Sequence, residues 1–110
     1  MNKENIKAYY EAICKDLKLQ PVPIKFCNVG KGGACIQHDT KGKILNIQID
    51  LKRCVDIEYA VLHETAHQVL ILKNNNFTHN STFKKLEANL MDKYMYTKFT
   101  NVLLGKTIFK

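Results

Sequence analysis

The chain has 110 residues and a mass of 12.7 kDa, with 45% hydrophobic and 25% charged residues. This size allows one domain with a modest core, and this composition excludes a disordered chain. No apolar run is long enough to cross a bilayer, and residues 1–18 lack the apolar segment of a signal peptide. We therefore expect a single domain over residues 1–110, monomeric and intracellular: in cytoplasm or nucleus, or inside a host cell if the protein is viral.

Positive charge is concentrated in the last third of the chain. The net charge is +7, and residues 73–110 contain seven lysines but only two acids, Glu87 and Asp92. Such a segment can bind phosphates, anionic lipid or an acidic protein, and it is also typical of a solvated helix face. DNA is the expected partner if the segment binds one.

The four cysteines do not form a zinc-binding or redox motif, because no C-x-x-C pair occurs among Cys14, Cys27, Cys35 and Cys54. We expect reduced thiols that fill small apolar sites.

The first part of the chain predicts a helix followed by a strand. Residues 4–18 repeat apolar side chains at helical spacing, and Pro21 and Pro23 end this helix. Residues 22–26 alternate as a strand does, and the prolines mark its start or a sheet edge.

A hairpin is predicted next. Residues 34–39 and 44–51 read as strands, and residues 40–43 form the turn between them. The second strand alternates strictly, which predicts one buried face and one polar face. The residues expected on the buried face are Leu45, Ile47, Ile49 and Leu51.

Two further helices are predicted. The first covers about residues 56–72. The second begins at Asn80 or Ser81, either of which is a good N-cap, and runs to about residue 98. Residues 99–110 fit no single element.

The sequence HETAH at residues 63–67 carries the chemistry. His63 and His67 are one turn apart on one helix face, about 40° from each other, and can bind one zinc ion. Glu64 reaches alongside such an ion, where a base can take a proton from activated water. The alternative is a pair of structural histidines on a helix.

A third protein ligand has two candidates. His79 precedes the predicted N-cap of the last helix, so the chain can loop back and present it. Glu87 lies on that helix, at a spacing that glutamate-ligated zinc peptidases also use. An imidazole suits zinc well, whereas an acid beside Lys84 and Lys85 is also typical of a helix surface.

HETAH followed by His79-Asn-Ser-Thr-Phe83 resembles the core of the SprT/Spartan-like zinc metallopeptidases. Their pattern is HExxH, a short loop, a third histidine, a triplet and then an aromatic residue. The order of elements over residues 5–95 is also similar. The family's tryptophans and its C-terminal zinc-binding segment have no counterpart in this chain, which has no tryptophan and no C-x-x-C pair.

The resemblance implies a minimal α+β zincin-like domain. Its expected parts are an N-terminal helix, a small three-stranded, mainly antiparallel sheet with a hairpin, an active-site helix and a C-terminal helix. It also implies Zn²⁺ as cofactor, with His63, His67 and His79 as metal ligands and Glu64 as catalytic base. The function implied is that of a zinc metalloendopeptidase acting on a protein substrate, with DNA-associated or DNA-crosslinked proteins as the candidate class.

The proposed chemistry requires supporting groups. An oxyanion helper is expected, and second-shell carboxylates should orient the imidazoles. An extended substrate could pair with an edge of the sheet, first of all at residues 44–51. The candidate helpers are Tyr59, Tyr94, Tyr96 and His38, and the candidate carboxylates are Asp50 and Asp56.

Two other functions remain open. One is a non-catalytic, zinc-stabilised module that binds nucleic acid or protein, although such a module has no use for Glu64. The other is a peptidase unrelated to DNA that acts on a single regulator or a viral precursor.

Overall fold

The structure is a computed structural model, and it describes residues 2–30 and 32–95. Three helices and one small mixed sheet make an α+β fold, which confirms the predicted class and the predicted order of elements. The elements are α1 Lys3–Leu17, β1 Ile24–Phe26, β2 Ala34–His38, β3 Ile44–Ile49, α2 Ile57–Asn74 and α3 Ser81–Tyr94. Residues 96–110, including the predicted end of the last helix, lie outside the described part.

The sheet has the order β1-β3-β2. β2 and β3 form the predicted antiparallel hairpin, whereas β1 pairs in parallel with the other side of β3. The sheet is therefore mixed, whereas a mainly antiparallel sheet was predicted. β3 is the central strand: residues 47–49 are paired on both sides and residues 44–46 only with β2, so β2 is the edge strand of the hairpin.

The pairing of β3 also corrects its predicted buried face. Ile47 and Ile49 are buried as expected, but Leu45 is 47% exposed and Leu51 is 39% exposed. The register shifts between the pairs Gln37–Asn46 and His38–Ile44, which leaves Leu45 as an extra residue in β3. Such a bulge interrupts the alternation of side chains. Leu51 follows the end of β3 and lies in a turn.

α2 is the central helix of the molecule. Buried side chains surround it along most of its length, from Ala60 to Ile71, as expected for a helix covered on more than one side. The Asp56 side chain caps its start by accepting from the Tyr59 backbone N–H, and Asn75 ends it in a left-handed conformation with φ 50°.

α1 fixes α2 and α3 through buried tyrosines. The Tyr10 hydroxyl donates to Gln68 Oε1 at 2.7 Å, and Gln68 is the residue after His67 on α2. The Tyr9 hydroxyl donates to the Tyr94 carbonyl at 2.9 Å, and the Tyr94 hydroxyl donates in turn to the Asp16 carboxylate. These bonds set the positions of the two helices that flank the site.

In the described ranges, no helix combines the length and apolar character that a membrane span requires.

Candidate metal centre

α2 presents His63 and His67 from successive turns. Their ring centroids are 4.9 Å apart and the rings are nearly perpendicular, at 81°. This separation follows from the spacing of four residues on a helix. His67 is buried, at 7% exposure, and its burial lowers its pKa to about 4, with the nearby His63 and His79 adding to the effect. The neutral imidazole that results is the form that binds a metal.

His79 comes from the loop between α2 and α3, which side-chain amides hold in shape. Asn76 Oδ1 accepts from the Thr78 backbone N–H at 3.0 Å, and Asn76 Nδ2 donates to Asn80 Oδ1 at 3.1 Å. Asn80 also caps α3 by accepting from the Phe83 N–H. His79 is therefore fixed between two ordered asparagines.

The three histidines converge on one point through the same ring atom. His79 Nε2 lies 3.0 Å from His67 Nε2 and 3.2 Å from His63 Nε2. The ligand atoms of the three residues all lie within 4.8 Å of one another. Tetrahedral zinc with bonds of about 2.0–2.1 Å separates its nitrogen ligands by about 3.3 Å. The donor set and its spacing therefore fit a zinc ion held by three imidazoles.

Phe83 supports all three rings from behind. Its ring centroid lies 4.3 Å from that of His67, 4.9 Å from that of His79 and 5.0 Å from that of His63. Phe83 is 1% exposed. It closes the core side of the cluster against water and leaves the cleft side as the direction from which a ligand can approach.

Glu64 lies beside the cluster and faces the same cleft. It is 4% exposed, and burial raises its pKa to about 7, with the negative charge of Glu87 adding to the rise. A bound dication would oppose this rise, because it favours the carboxylate. The carboxyl is thus placed where a group that accepts and releases a proton must lie.

Glu87, the alternative third ligand, lies on the other side of His63. Its Oε2 atom is 2.5 Å from His63 Nδ1, the nitrogen that points away from the cluster, and it accepts from the Tyr59 hydroxyl at 3.2 Å. This contact was not predicted from the sequence. The available signal was spacing, since Tyr59 precedes His63 by one helical turn and Glu87 follows Phe83 by one turn.

Two adjoining cavities open onto the cluster. The larger, about 740 Å³, extends past Gly33, Val55 and Tyr59, and the smaller, about 260 Å³, extends past Ile36 and Phe77. Both have Ala34, His63, Glu64 and His79 in their walls. β2 therefore borders a cleft that continues on either side of the candidate metal position.

One wall of the cleft requires glycine. Gly33 has φ 75°, and a Cβ atom there would meet Cys54 backbone N and Sγ at 3.0 Å. The Cys54 thiol donates to the Gly33 carbonyl at 3.1 Å. A side chain at this position would combine backbone strain with a steric clash.

The candidate helper groups are separated by the structure. Tyr59 lines the larger cavity, and His38 lines the smaller one, where its ring lies 4.5 Å from that of Phe77. Tyr94 is fully buried and bonded to Asp16, so it does not reach the cleft. Tyr96 lies outside the described residues.

The two predicted orienting carboxylates serve other purposes. Asp50 accepts from the Val29 and Lys52 backbone N–H groups, and Asp56 caps α2. The acid against a cluster histidine is Glu87 instead. In the part of the chain that the structure describes, neither aspartate forms a hydrogen bond to His63, His67 or His79.

The lysine-rich segment has four lysines in the described part. Lys73, Lys84 and Lys85 are exposed, whereas Lys93 pairs with Asp16 at 3.0 Å. The remaining lysines of the segment lie outside the described residues.

Comparison with known proteins identifies no relative: no protein-family model, no curated protein and no solved structure matches the chain. Inferences about the site therefore depend on its own residues.

Proposed function

We propose that the protein is a zinc-dependent endopeptidase that uses His63, His67 and His79 to hold the ion and Glu64 as its base. One observation carries the proposal. Three imidazoles, two from α2 and one from the loop that follows it, converge on one point, and an acid that is not part of the ligand set faces the cleft beside them. A purely structural zinc site uses four protein ligands and needs no such acid.

The roles of the residues follow from their positions. A bound zinc ion would lower the pKa of a coordinated water and polarise the carbonyl of the scissile bond. Glu64 accepts the proton of the attacking water and delivers it to the leaving amine. Phe83 keeps water away from the core side of the histidines.

An extended peptide is the substrate that the cleft fits best. β2 is paired on one side by β3, and its residues Ala34, Ile36 and His38 contribute to the cavity walls. A peptide lying along this edge can pair with the backbone as an added strand and pass the metal position. Val55 and Phe77, both exposed, offer apolar contacts in the larger and the smaller cavity respectively.

The test is the substitution Glu64→Gln, which keeps the size of the side chain and removes the base. We expect zinc binding to persist and hydrolysis of an unfolded, fluorescently labelled protein to fall by at least about 100-fold. Glu11→Gln, the same change on the exposed face of α1, is the matched control and should keep full activity. Full activity in Glu64→Gln would disprove this mechanism.

We further propose the SprT/Spartan-like specialisation, in which the substrates are proteins associated with or crosslinked to DNA. Its support is the sequence resemblance and the exposed lysines at 73, 84 and 85. The same assay with a basic DNA-binding protein, with and without single-stranded DNA, tests it. Cleavage that needs DNA supports the specialisation, and cleavage indifferent to DNA leaves a general peptidase. Zinc binding without any cleavage favours the non-catalytic module.

A further inference from the structure

Tyr59, Glu87 and His63 form a hydrogen-bonded chain behind the metal cluster, here called the Tyr59–Glu87–His63 chain. The tyrosine hydroxyl lies 3.2 Å from Glu87 Oε2, and the same oxygen lies 2.5 Å from His63 Nδ1. Side-chain exposures of 23% for His63 and 17% for Glu87 show that this ion-pair contact is largely shielded from water. It joins α2 to α3.

The chemistry of the imidazole gives this contact a definite consequence. A neutral histidine carries one proton, and a histidine that offers Nε2 to a metal must carry that proton on Nδ1. Glu87 accepts at Nδ1 and so selects this tautomer. The contact also fixes the rotation of the His63 ring, because the ring must point Nδ1 at the Glu87 carboxylate and Nε2 at the cluster at the same time.

His63 differs in this respect from the other two histidines. Within residues 2–30 and 32–95, the hydrogen bonds of His67 and His79 run through Nε2 to the cluster, and neither has a carboxylate against its second ring nitrogen. The aromatic ring of Phe83 contacts all three histidine rings, so this contact does not distinguish His63 from the other two. Control by charge and hydrogen bonding therefore acts on His63 alone among them.

We propose that Glu87 is a positioning residue that orients His63 for metal binding, and that the Tyr59 hydroxyl holds the Glu87 carboxylate in place. This inference rests on the proposed zinc site, and it assigns Glu87 a role outside the ligand set. Because Glu87 belongs to α3, the packing of that helix then controls the geometry of a ligand on α2. Carboxylates that act through a metal-ligating histidine typically strengthen metal binding by 10- to 100-fold.

The experiment measures zinc binding rather than hydrolysis. The dissociation constant is determined by competition with a chelator for the wild type, Glu87→Gln, Tyr59→Phe, the ligand variant His79→Ala and the control Glu11→Gln. We expect about 10- to 100-fold weaker binding for Glu87→Gln. A smaller loss is expected for Tyr59→Phe, because the carboxylate stays, and no change for Glu11→Gln. Thermal unfolding of the metal-free proteins verifies that each variant folds.

A second readout reports the tautomer directly. In the metal-free wild type, the ¹⁵N chemical shifts of His63 should show a proton on Nδ1. Glu87→Gln should give a mixture of tautomers, an effect that a merely structural role of Glu87 would not produce. Tyr59→Phe should leave the tautomer in place.

Three results would overturn the proposal or its premise, and they are distinguishable. An unchanged dissociation constant and an unchanged tautomer in Glu87→Gln would overturn the role of Glu87. A loss as large as that of His79→Ala would show that Glu87 is itself a ligand. Failure of the wild-type protein to bind zinc would instead refute the proposed function.

Discussion

Asp50 shows how a single buried carboxylate shapes the cleft. It is 4% exposed and accepts from the Val29 N–H at 3.2 Å and the Lys52 N–H at 3.0 Å, while Arg53 Nε lies 3.8 Å away. The bond from Val29 contributes most to lowering the pKa of Asp50, with Lys52 and Arg53 adding to it. The residue thereby ties the loop that precedes Gly33 to the turn that precedes Cys54, and Gly33 and Cys54 both line the larger cavity.

The lowered pKa predicts how this contribution depends on pH. Since the folded-state pKa of Asp50 lies below its unfolded value of about 3.9, its stabilisation is fully present above about pH 4 and is lost as pH falls through the folded pKa. We expect the wild type to unfold at higher urea concentration than Asp50→Asn near neutral pH, and this difference to shrink as the pH falls below about 4.

Urea unfolding of both metal-free proteins across this pH range is the measurement. Effects of histidine protonation are common to the two proteins and cancel in the difference. A difference that persists unchanged to the lowest pH would mean that the charge of Asp50 contributes nothing and that only its shape matters.

At the scale of elements, the junction between α2 and α3 determines whether the metal cluster forms. α2 ends at Asn74 with Asn75 as its cap, α3 begins after its cap Asn80, and the short loop between them carries His79. Asn80 both starts α3 and receives the Asn76 amide, so it fixes the loop at the residue next to His79. Helix capping and metal binding are thus coupled at one position.

Asn80→Ala should therefore have two effects. Loss of the cap is expected to lower the free energy of unfolding by about 1 kcal/mol. Loss of the loop bonds should also weaken zinc binding several-fold, because His79 becomes less ordered. The matched control is Asn2→Ala, which removes the equivalent cap of α1, at Asn5 N–H, far from the site.

Urea unfolding and chelator competition on both variants separate the two effects. Asn2→Ala should lose stability without losing zinc affinity. Equal zinc affinities for Asn80→Ala and the wild type would show that the loop holds His79 without its cap.

The sequence predicted most elements because their signals are local. Apolar spacing identified all three helices, and the two candidate caps Asn80 and Ser81 marked the start of α3, which Asn80 caps. The mixed sheet was not predicted, since nothing in the three residues of β1 specifies which edge of β3 they join. The bulge at Leu45 was not predicted for a similar reason. Strict alternation within β3 carries no information about a shift in its register against β2.

The metal cluster was likewise predictable only where its signals are local in the sequence. The spacing of His63 and His67 on one helix and the position of His79 before a cap were readable, because each depends on a few neighbouring residues. The contact of Glu87 with His63 depends on how α3 crosses α2. That crossing depends on the packing of α3 on α2 and on the bond from Tyr9 to Tyr94, which joins residues far apart in the chain.

For the molecule as a whole, the hydrophobic core and the metal cluster are adjacent but largely separate. The core joins α1, the sheet, α2 and α3, and Phe83 is its point of contact with the three histidines. Most buried apolar side chains, such as Tyr9, Ile13 and Ile47, have no part in the cluster. We therefore expect the domain to fold without metal and to be stabilised by it.

Removal of zinc should lower the melting temperature while leaving the secondary structure intact. Free zinc at 100 times its dissociation constant contributes about 2.7 kcal/mol, which corresponds to roughly 10–20 °C for a domain of this size. Thermal unfolding followed by far-UV circular dichroism, with and without a chelator, measures the shift. His79→Ala, which lacks one ligand, should show a much smaller dependence on zinc.

The same experiment discriminates between the two classes of function. A non-catalytic module that needs zinc to fold would lose its helical signal at room temperature when the metal is removed. A peptidase whose core folds independently would keep that signal and lose only thermal stability. The separation of the core from the cluster favours the second outcome. Domains that fold only with zinc typically lack a hydrophobic core large enough to fold without it. This chain has such a core, built from α1, the sheet, α2 and α3.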